Sequence, residues 1–387
     1  MRHFAFLSDD DRTRLFHTPP VDLHHSSDPR LLATALGATL YTPGDRPELA
    51  ASVIKQSKKG AVSMVLCLED SIADSAVPAA EDNVAATLVE LHGCGELPLL
   101  FVRVRTPEQI LLLAERAGAA LSVLAGFVVP KFRNDDGYGQ RFFDALHEVT
   151  DRGLVPDHRL RLMPILESPA MIHAETRTQV LSEIARVLLD NRDDVLAVRI
   201  GTTDLSSVFG LRRGRDLTIY DVQVVAAVIG DIVNVLGRGS DGFVITGPVW
   251  EHYADTERLL RPQLRLTPFT EANEEALRRE LLVRNFDGLL REITLDHANG
   301  LLGKTVIHPT HVALVHALSV ISHEEYLDAT AITQPGAGGV AASPSRNKMN
   351  EMKPHQMWAE KTLQRADAFG VAAADATFVD FLEVSML

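Results

Sequence analysis

Apolar runs of strand length alternate with stretches of helical periodicity along most of the chain. The strand-like runs are continuously apolar, which is typical of strands covered on both faces in a parallel sheet. We place the eight strand candidates at residues 38–44, 61–70, 97–105, 125–132, 159–168, 194–204, 241–249 and 301–309. Each precedes a helix-like stretch; the one after the seventh strand runs from about Glu271 to Asn299. Eight such units predict an α/β fold, the (β/α)8 TIM barrel, with a doubly wound open sheet as the alternative.

The two ends of the chain fall outside this alternation. Residues 1–35 are polar and irregular, and we expect an N-terminal extension that packs on the outside or is partly disordered. The barrel then occupies residues 36–333. Residues 334–347 are rich in Gly, Ala and Ser, which predicts a flexible connection. The helix that follows, within 334–387, could act as a lid over the barrel mouth or as an arm to another subunit.

Composition narrows the functional class. The chain has 387 residues and a formal net charge of −14, so a general nucleic-acid or anionic membrane surface is not expected. No apolar run approaches the length of a membrane span, and no signal peptide is apparent. Cys67 and Cys94 lack metal-ligand spacing, and we interpret them as buried, reduced thiols. Together these features predict a cytoplasmic protein.

Charged side chains follow nearly every predicted strand. They are Arg46, Glu69, Asp70, Arg103, Arg105, Lys131, Glu167, Asp204 and His308. In a TIM barrel the carboxyl ends of all strands meet at one mouth, so these groups should converge there. Two acids delivered from neighbouring strands, Glu167 and Asp204, form the hard-oxygen site that Mg²⁺ prefers.

Each of these residues also has a simpler interpretation. Glu167, Glu69 and Asp70 could cap the following helices, and Asp204 could form a loop turn. Arg103 could pair with Asp70, and Lys131 could be solvated. Taken together, however, four acids and several cations at one mouth form a cluster of partly buried charge, which favours a functional site.

The chemistry that suits this cluster is enolate chemistry. A divalent metal on Glu167 and Asp204 can bind a carboxylate and an adjacent oxygen of a small acid. Arg103 can stabilise the oxygen on which enolate charge develops. The sequence contains no nucleophile elbow, no phosphate-binding glycine loop with Lys-Ser/Thr and no dinucleotide fingerprint. Those absences argue against a serine hydrolase, a P-loop NTPase and a nicotinamide enzyme.

The strand-end segments resemble a known family. They are "LYTPGDRPE", "VLCLEDSIA", "FVRVR", "VPKF", "ILESPAMI", "GTTDLSSVFG" and "LLGKTVIHP", in family order from about Leu40 to Pro309. They resemble the citrate lyase β-subunit type within the HpcH/HpaI aldolase superfamily. The resemblance implies a (β/α)8 barrel with Mg²⁺ on Glu167 and Asp204, and with Arg103 on the substrate's carboxylate or enolate oxygen. Glu69 and Asp70 would lie beside the ligands or hold water.

The C-terminal tail carries a further likeness. Members of this type have a tail segment whose Asp reaches the site of a neighbouring subunit, and "NKMNEMKP" places Glu351 at that position. We therefore expect a homo-oligomer, a trimer or hexamer, and take Arg103, Glu69, Asp70 and Glu351 as candidate catalytic residues.

Extra cations distinguish the chain from this family. Arg105 replaces the usual Asn, and the loop "LRRGRD" is strongly basic. We name the candidate substrate-binding residues as Arg46, Arg105, Lys131, Arg212 and Arg213. These cations suggest a substrate more anionic than the usual one.

The resulting hypothesis is a Mg²⁺-dependent carbon–carbon lyase. It would act by retro-aldol or retro-Claisen cleavage, or by condensation, on a small hydroxy acid or keto acid or an acyl-CoA thioester. A thioesterase acting on a malyl-type CoA ester, and a barrel that binds a metabolite without turnover, remain alternatives.

Overall fold

The eight predicted strands form one parallel barrel in the computed structural model, which describes residues 1–154, 158–253, 275–334 and 339–386. The barrel strands are β1 (Ala38–Pro43), β2 (Ser63–Cys67), β3 (Leu99–Arg103), β4 (Leu124–Val129), β5 (Arg161–Leu166), β6 (Val198–Ile200), β7 (Ile245–Thr246) and β8 (Lys304–Val306). The helices that follow them are α1 (Leu49–Lys58), α2 (Val77–Leu91), α3 (Pro107–Ala117), α4 (Tyr138–Asp151), α5 (Ala174–Asp190), α6 (Gln223–Leu236), α7 (Glu275–Ala298) and α8 (Thr310–Ser319). Residues 271–274, where we expected α7 to begin, lie outside the described residues.

The strands follow one another in chain order around the sheet, and β8 pairs with β1. The ring closes between β7 and β8 through a parallel bridge from Gly247 to Lys304. There the Gly247 N–H donates to Gly303 O at 3.1 Å, and the Thr305 N–H donates to Gly247 O at 3.0 Å. This closed order confirms the (β/α)8 barrel and is incompatible with the doubly wound alternative.

Continuous burial along the strands explains their apolar sequences. Every residue of β2, β3 and β4 is buried. One face packs against the surrounding helices, and the other faces the barrel interior with side chains such as Phe101 and Met163. This two-sided burial is what a parallel sheet requires.

The N-terminal extension is more regular than expected. It contains the helices Asp9–Leu15 and Pro29–Thr34, and the strand Phe16–Thr18 pairs antiparallel with Val371–Ala372. The second helix begins at the Asp28 cap, whose side chain accepts two backbone N–H bonds. Leu32 of this helix packs on apolar residues at the amino ends of the barrel strands, so the extension covers the end opposite to the predicted site.

A pair of helices follows the barrel. The helix-like stretch after the eighth predicted strand divides into two helices, because Ser322 and Glu325 form a capping box that starts a new helix, α9 (His323–Thr333). Helix α10 (Met352–Phe369) packs against α9, and its last residue, Phe369, joins the apolar layer at the amino ends of the strands.

The predicted connection at residues 334–347 includes a short strand. Val340–Ala342 pairs antiparallel with Met349–Glu351, while residues 335–338 lie outside the described residues. A last helix, α11 (Phe378–Met386), places Phe381 against Phe4 and Phe16 of the extension.

Two smaller expectations can be compared with the structure. Cys67 is buried in β2, but Cys94 is exposed, contrary to our expectation, because it lies in the turn after α2.

Across the described residues, every helix is too short or too polar to cross a bilayer.

Candidate active site

Five predicted residues meet at the carboxyl ends of four adjacent strands. Glu69 and Asp70 follow β2, Arg103 ends β3, Lys131 follows β4 and Glu167 directly follows β5. Because parallel neighbours bring these ends to one rim, residues far apart in sequence come within hydrogen-bonding distance.

Arg103 lies at the centre of this cluster. Its Nη2 is 2.6 Å from Glu69 Oε2, 3.2 Å from Glu167 Oε1 and 3.4 Å from Asp70 Oδ2. The side chain is 11% exposed, and its Nε–H has no hydrogen-bond partner. Burial lowers the pKa of Arg103, but Glu167, Tyr41 and Glu69 more than offset this effect and raise it overall. The guanidinium is therefore a permanent cation that holds three carboxylates together.

Lys131 contributes both its backbone and its side chain. The backbone of this residue has a φ of +49°, a conformation that is uncommon for residues other than glycine. In this conformation its N–H donates to Glu167 Oε1 at 2.9 Å, while Nζ reaches Glu69 Oε1 at 2.6 Å and Asp70 Oδ1 at 3.3 Å. Burial opposes its protonation, but the hydrogen bond and charge of Glu69 raise the pKa of Lys131 overall.

The acids of the cluster differ in environment. Glu167 is 3% exposed, and burial raises its pKa to about 7, with Asp204 adding to the rise against the opposing charge of Arg103. Burial alone would raise the pKa of Asp70, but the hydrogen bond with Glu69 and the charges of Arg103 and Lys131 hold it below its usual range. Asp70 is 54% exposed, so it is an ionised carboxylate that faces incoming molecules.

Asp204 approaches the cluster from the next strand. It lies in the first turn of the helix Thr202–Ser207, which follows β6 after Gly201. A Cβ atom on Gly201 would lie 1.8 Å from Glu167 Oε2, so glycine is required for the chain to pass this carboxylate.

Two cavities share Glu167 and Asp204 in their walls. The inner cavity, of about 230 Å³, is also lined by Asp70 and Arg103. The outer cavity, of about 330 Å³, extends past Lys131 towards Ser168. The carboxylate pair thus faces space on both sides, where a small hard cation and a small acid can be held.

Arg105 lies beside the cluster but points into a loop. Its guanidinium donates to the carbonyls of Leu68, Glu69 and Ile72 at 2.7, 3.3 and 3.4 Å, and it pairs with Asp74 at 2.6 Å. These contacts stabilise the turn that carries Glu69 and Asp70. The predicted substrate-binding residue therefore acts in this structure as a support for the site.

Three other predicted cations lie away from both cavities. Arg46 and Arg212 are exposed. The guanidinium of Arg213 is buried, pairs with Glu292 and donates to Val249 O at 2.6 Å. Glu292 also accepts from Lys304 Nζ at 2.8 Å, so Arg213 belongs to a buried ion network on α7 and β8. This placement favours a structural role for Arg213.

Glu351 is also separate from the cluster. It is half-buried and directly precedes α10, but its side chain makes no capping bond; instead, its backbone N–H donates to His355 Nδ1 at 3.1 Å. It lines neither of the two cavities that contain Glu167.

The sequence analysis missed one charged residue of the inner cavity. Arg199 lies in the middle of β6 and lines the cavity together with Tyr41. The signal was an arginine inside the otherwise apolar run "VLAVRIG", a position that a buried strand rarely gives to a charge.

With this geometry, comparison with known proteins identifies the family. A family described as carbon–carbon bond lyases of the TIM-barrel fold matches residues 30–371. The chain belongs to this family. The match confirms the resemblance seen in the strand-end motifs, the barrel and the class of enzyme. Among curated proteins, none matches the chain.

Two crystal structures share the fold of this lyase family member. One is the protein CitE from Mycobacterium tuberculosis in complex with magnesium, acetoacetate and coenzyme A. It is 19% identical, with a TM-score of 0.53, over 86% of this chain and 99% of that chain. The other is a citrate lyase from Burkholderia xenovorans LB400. It is 16% identical, with a TM-score of 0.63, over 89% of this chain and 96% of that chain.

Proposed function

We propose that the protein is a Mg²⁺-dependent lyase that cleaves or forms a carbon–carbon bond in a small hydroxy acid or its acyl-CoA thioester. The observation that carries this proposal is the contact of Arg103 Nη2 with Glu167 Oε1, at 3.2 Å, in a cavity that Asp204 also lines. A buried permanent cation beside two carboxylates suits a reaction in which negative charge develops on a substrate oxygen.

The donor set fits Mg²⁺. Glu167 Oε1 is engaged by Arg103 and by the Lys131 N–H, and this leaves Oε2 and Asp204 as the anionic oxygens for a metal. Within the described parts of the chain no cluster of three or more acidic, His or Cys side chains is arranged for a metal. Two carboxylates with room for water and substrate match the usual Mg²⁺ site. The relative from Mycobacterium tuberculosis was crystallised with magnesium, acetoacetate and coenzyme A, in keeping with this assignment.

In retro-aldol cleavage, the substrate hydroxyl loses its proton and becomes a carbonyl, and the electron pair of the broken carbon–carbon bond forms an enolate. Mg²⁺ would supply Lewis-acid stabilisation of the substrate oxygens. Arg103 would donate to the enolate oxygen.

Asp70 would accept the hydroxyl proton, because it is the most exposed carboxylate of the cluster and is ionised at neutral pH. Lys131 and Arg103 would keep it in place. The departing enolate would then be protonated by an acid at the barrel mouth, the role that we expect of Glu351 from a neighbouring subunit.

The direct test is product analysis with Mg²⁺ and a panel of hydroxyacyl-CoA esters and free hydroxy acids. We expect a keto acid or aldehyde acid together with the shortened acid or thioester. Free CoA with an intact hydroxy acid would identify a thioesterase instead, and tight binding without products would identify a metabolite-binding barrel.

Variants locate the chemistry at the carboxylate pair. Glu167→Gln and Asp204→Asn should each lower Mg²⁺ affinity and abolish activity, because each removes one anionic ligand with little change of shape. Glu360→Gln, an exposed change on α10, is the matched control and should behave as wild type. Near-normal Mg²⁺ affinity in either site variant, measured by calorimetry, would show that the ligands lie elsewhere.

A further inference from the structure

Arg199 crosses the interior of the barrel. It is 1% exposed and extends from β6 through the barrel interior to β8 and β1, which are two and three strands away around the ring. There Nη1 donates to Thr39 Oγ1 of β1 at 3.2 Å, and Nη2 donates to Thr305 Oγ1 of β8 at 2.6 Å. Its guanidinium carbon lies 5.5 Å from the centre of the Tyr41 ring.

Unlike the other buried arginines of the site region, Arg199 bonds to neutral groups. Arg103 contacts three carboxylates and Arg213 contacts Glu292. In the described structure, Arg199 bonds to the hydroxyls of Thr39 and Thr305 and to the Met163 sulfur, and it also interacts with the Tyr41 side chain, while its Nε–H has no partner. These partners are neutral groups, and none of them is a carboxylate. A guanidinium stays charged in proteins, and a buried charge without a counter-ion is strongly unfavourable.

The uncompensated charge faces the inner cavity. Arg199 lines that cavity together with Arg103, Glu167 and Asp204. One part of the wall is thus rich in carboxylates for a metal, and another part presents a cation whose hydrogen-bond partners, among the residues that the structure describes, are neutral. The volume of about 230 Å³ is below the range for drug-sized ligands, and so it suits a small acid.

We propose that Arg199 binds a second acidic group of the substrate, and that the substrate is therefore a small acid carrying two oxyanionic groups. One group lies at Arg103 and the carboxylate pair, and the other supplies the missing counter-ion to Arg199. The inference rests on the proposed function for the identity of the cavity as the substrate site. Carboxylate and phosphate are both suitable partners, because guanidinium binds either through paired N–H donors.

Matched ligands test this specificity in the intact protein with Mg²⁺. Malate and 2-hydroxybutyrate differ by one carboxylate in place of a methyl group, and 3-phosphoglycerate and glycerate differ by one phosphate. We expect malate, 3-phosphoglycerate or both to bind about tenfold or more tightly than the partner acid, as measured by calorimetry. The pair that shows the preference identifies the second group as carboxylate or phosphate. Equal affinities within both pairs, or no binding by any of the four acids, would overturn the proposal.

Substitution separates a binding role from a structural one. Arg199→Met should abolish the preference for the doubly acidic ligand without lowering the melting temperature, because it removes an unpaired buried charge and keeps the length of the side chain. Arg161→Met, a change at the opposite end of β5, is the matched control and should keep the preference. A purely structural Arg199 predicts the reverse, with lower thermal stability and an unchanged preference.

If Arg199→Met does not fold, Arg199→Lys serves in its place. It should weaken the preference without abolishing it, since lysine keeps the charge but loses the planar pair of donors. Cleavage of the carbon–carbon bond is measured separately, by analysing the ligands that are recovered from the binding experiments. A protein that prefers doubly acidic ligands but never cleaves them would refute the lyase proposal and leave the role of Arg199 standing.

Discussion

Gly201 sets the position of the Glu167 carboxylate. Because a Cβ atom there would overlap Glu167 Oε2, Gly201→Ala must push the carboxylate away from Arg103 or from Asp204. We expect at least about a tenfold loss of Mg²⁺ affinity and about a hundredfold loss of activity, since about 1 Å of misplacement has such effects in active sites. Calorimetry and steady-state kinetics measure the two effects.

Gly230 provides the control for this substitution. It lies in α6 with open space around its Cα atom, so Gly230→Ala should leave activity unchanged and add stability of up to about 1 kcal/mol. If Gly201→Ala kept wild-type Mg²⁺ affinity, Oε2 of Glu167 would not be a metal ligand.

At the scale of an element, the turn after β2 depends on Arg105. The guanidinium holds three carbonyls of that turn, and the turn presents Glu69 and Asp70 to Arg103. Arg105→Met should lower kcat about tenfold by loosening these two acids, while KM changes little, because Arg105 does not line the inner cavity. Hydrogen exchange should become faster over residues 68–74.

Arg116→Met is the matched control, since Arg116 forms ion pairs with Glu81 and Asp82 and is 36% exposed. It should change neither kcat nor hydrogen exchange in the turn. A large rise in KM with unchanged kcat for Arg105→Met would instead support the original expectation that Arg105 binds substrate.

The N-terminal extension is held by two buried histidines. His3 Nε2 bonds to Ala35 O at 2.7 Å, and the ring of His316 lies edge-on to it, with centroids 4.4 Å apart. Burial lowers the pKa of His3 to about 4, and burial lowers that of His316 as well. In the unfolded chain His3 binds a proton below about pH 6.5, whereas in the folded protein it stays neutral until about pH 4.

Stability should therefore fall as the pH is lowered from about 6.5 to 4, with His3 alone contributing about 3 kcal/mol. His3→Gln removes this titration and should flatten the pH dependence of the melting temperature. His24→Gln, at an exposed histidine, should leave the slope as in wild type. An unchanged slope in His3→Gln would mean that His3 is protonated in the folded state.

At the scale of the whole molecule, local patterns were enough to predict the barrel and the meeting of the strand-end side chains that form the candidate site. Continuous apolar runs marked the eight strands, and parallel closure dictated that Glu69, Arg103 and Glu167 would meet. Long-range contacts were not predictable in this way. The pairing of Phe16–Thr18 with Val371–Ala372 depends on the folded barrel bringing the two ends of the chain together.

Two residues show the same limit within the site region. Arg213 looked like a substrate ligand because its loop is basic, but Glu292 of a distant helix neutralises it. Arg199 looked like part of a strand, and only the closed barrel shows that its hydrogen bonds within the described residues go to neutral groups. In both cases the identity of the partner is a property of the tertiary structure.

Assembly determines whether Glu351 has a catalytic role. Helix α10 has 18 residues and so is about 27 Å long, and its far end at Phe369 packs at the amino ends of the barrel strands. Glu351, at the other end, lines neither cavity of the cluster and makes no capping bond. We predict that it closes the mouth of a neighbouring subunit in a homo-oligomer.

Mixing two inactive variants tests this prediction. Glu351→Gln supplies an intact cluster, and Arg103→Ala supplies an intact tail. After subunit exchange, sites that combine the two intact parts should recover activity well above that of either variant alone, measured with the substrate identified by product analysis. Glu167→Gln replaces Arg103→Ala if the latter misfolds. Exchange is followed independently by mass spectrometry of differently tagged chains. Exchange without recovered activity would place Glu351 in its own subunit's site or outside any site.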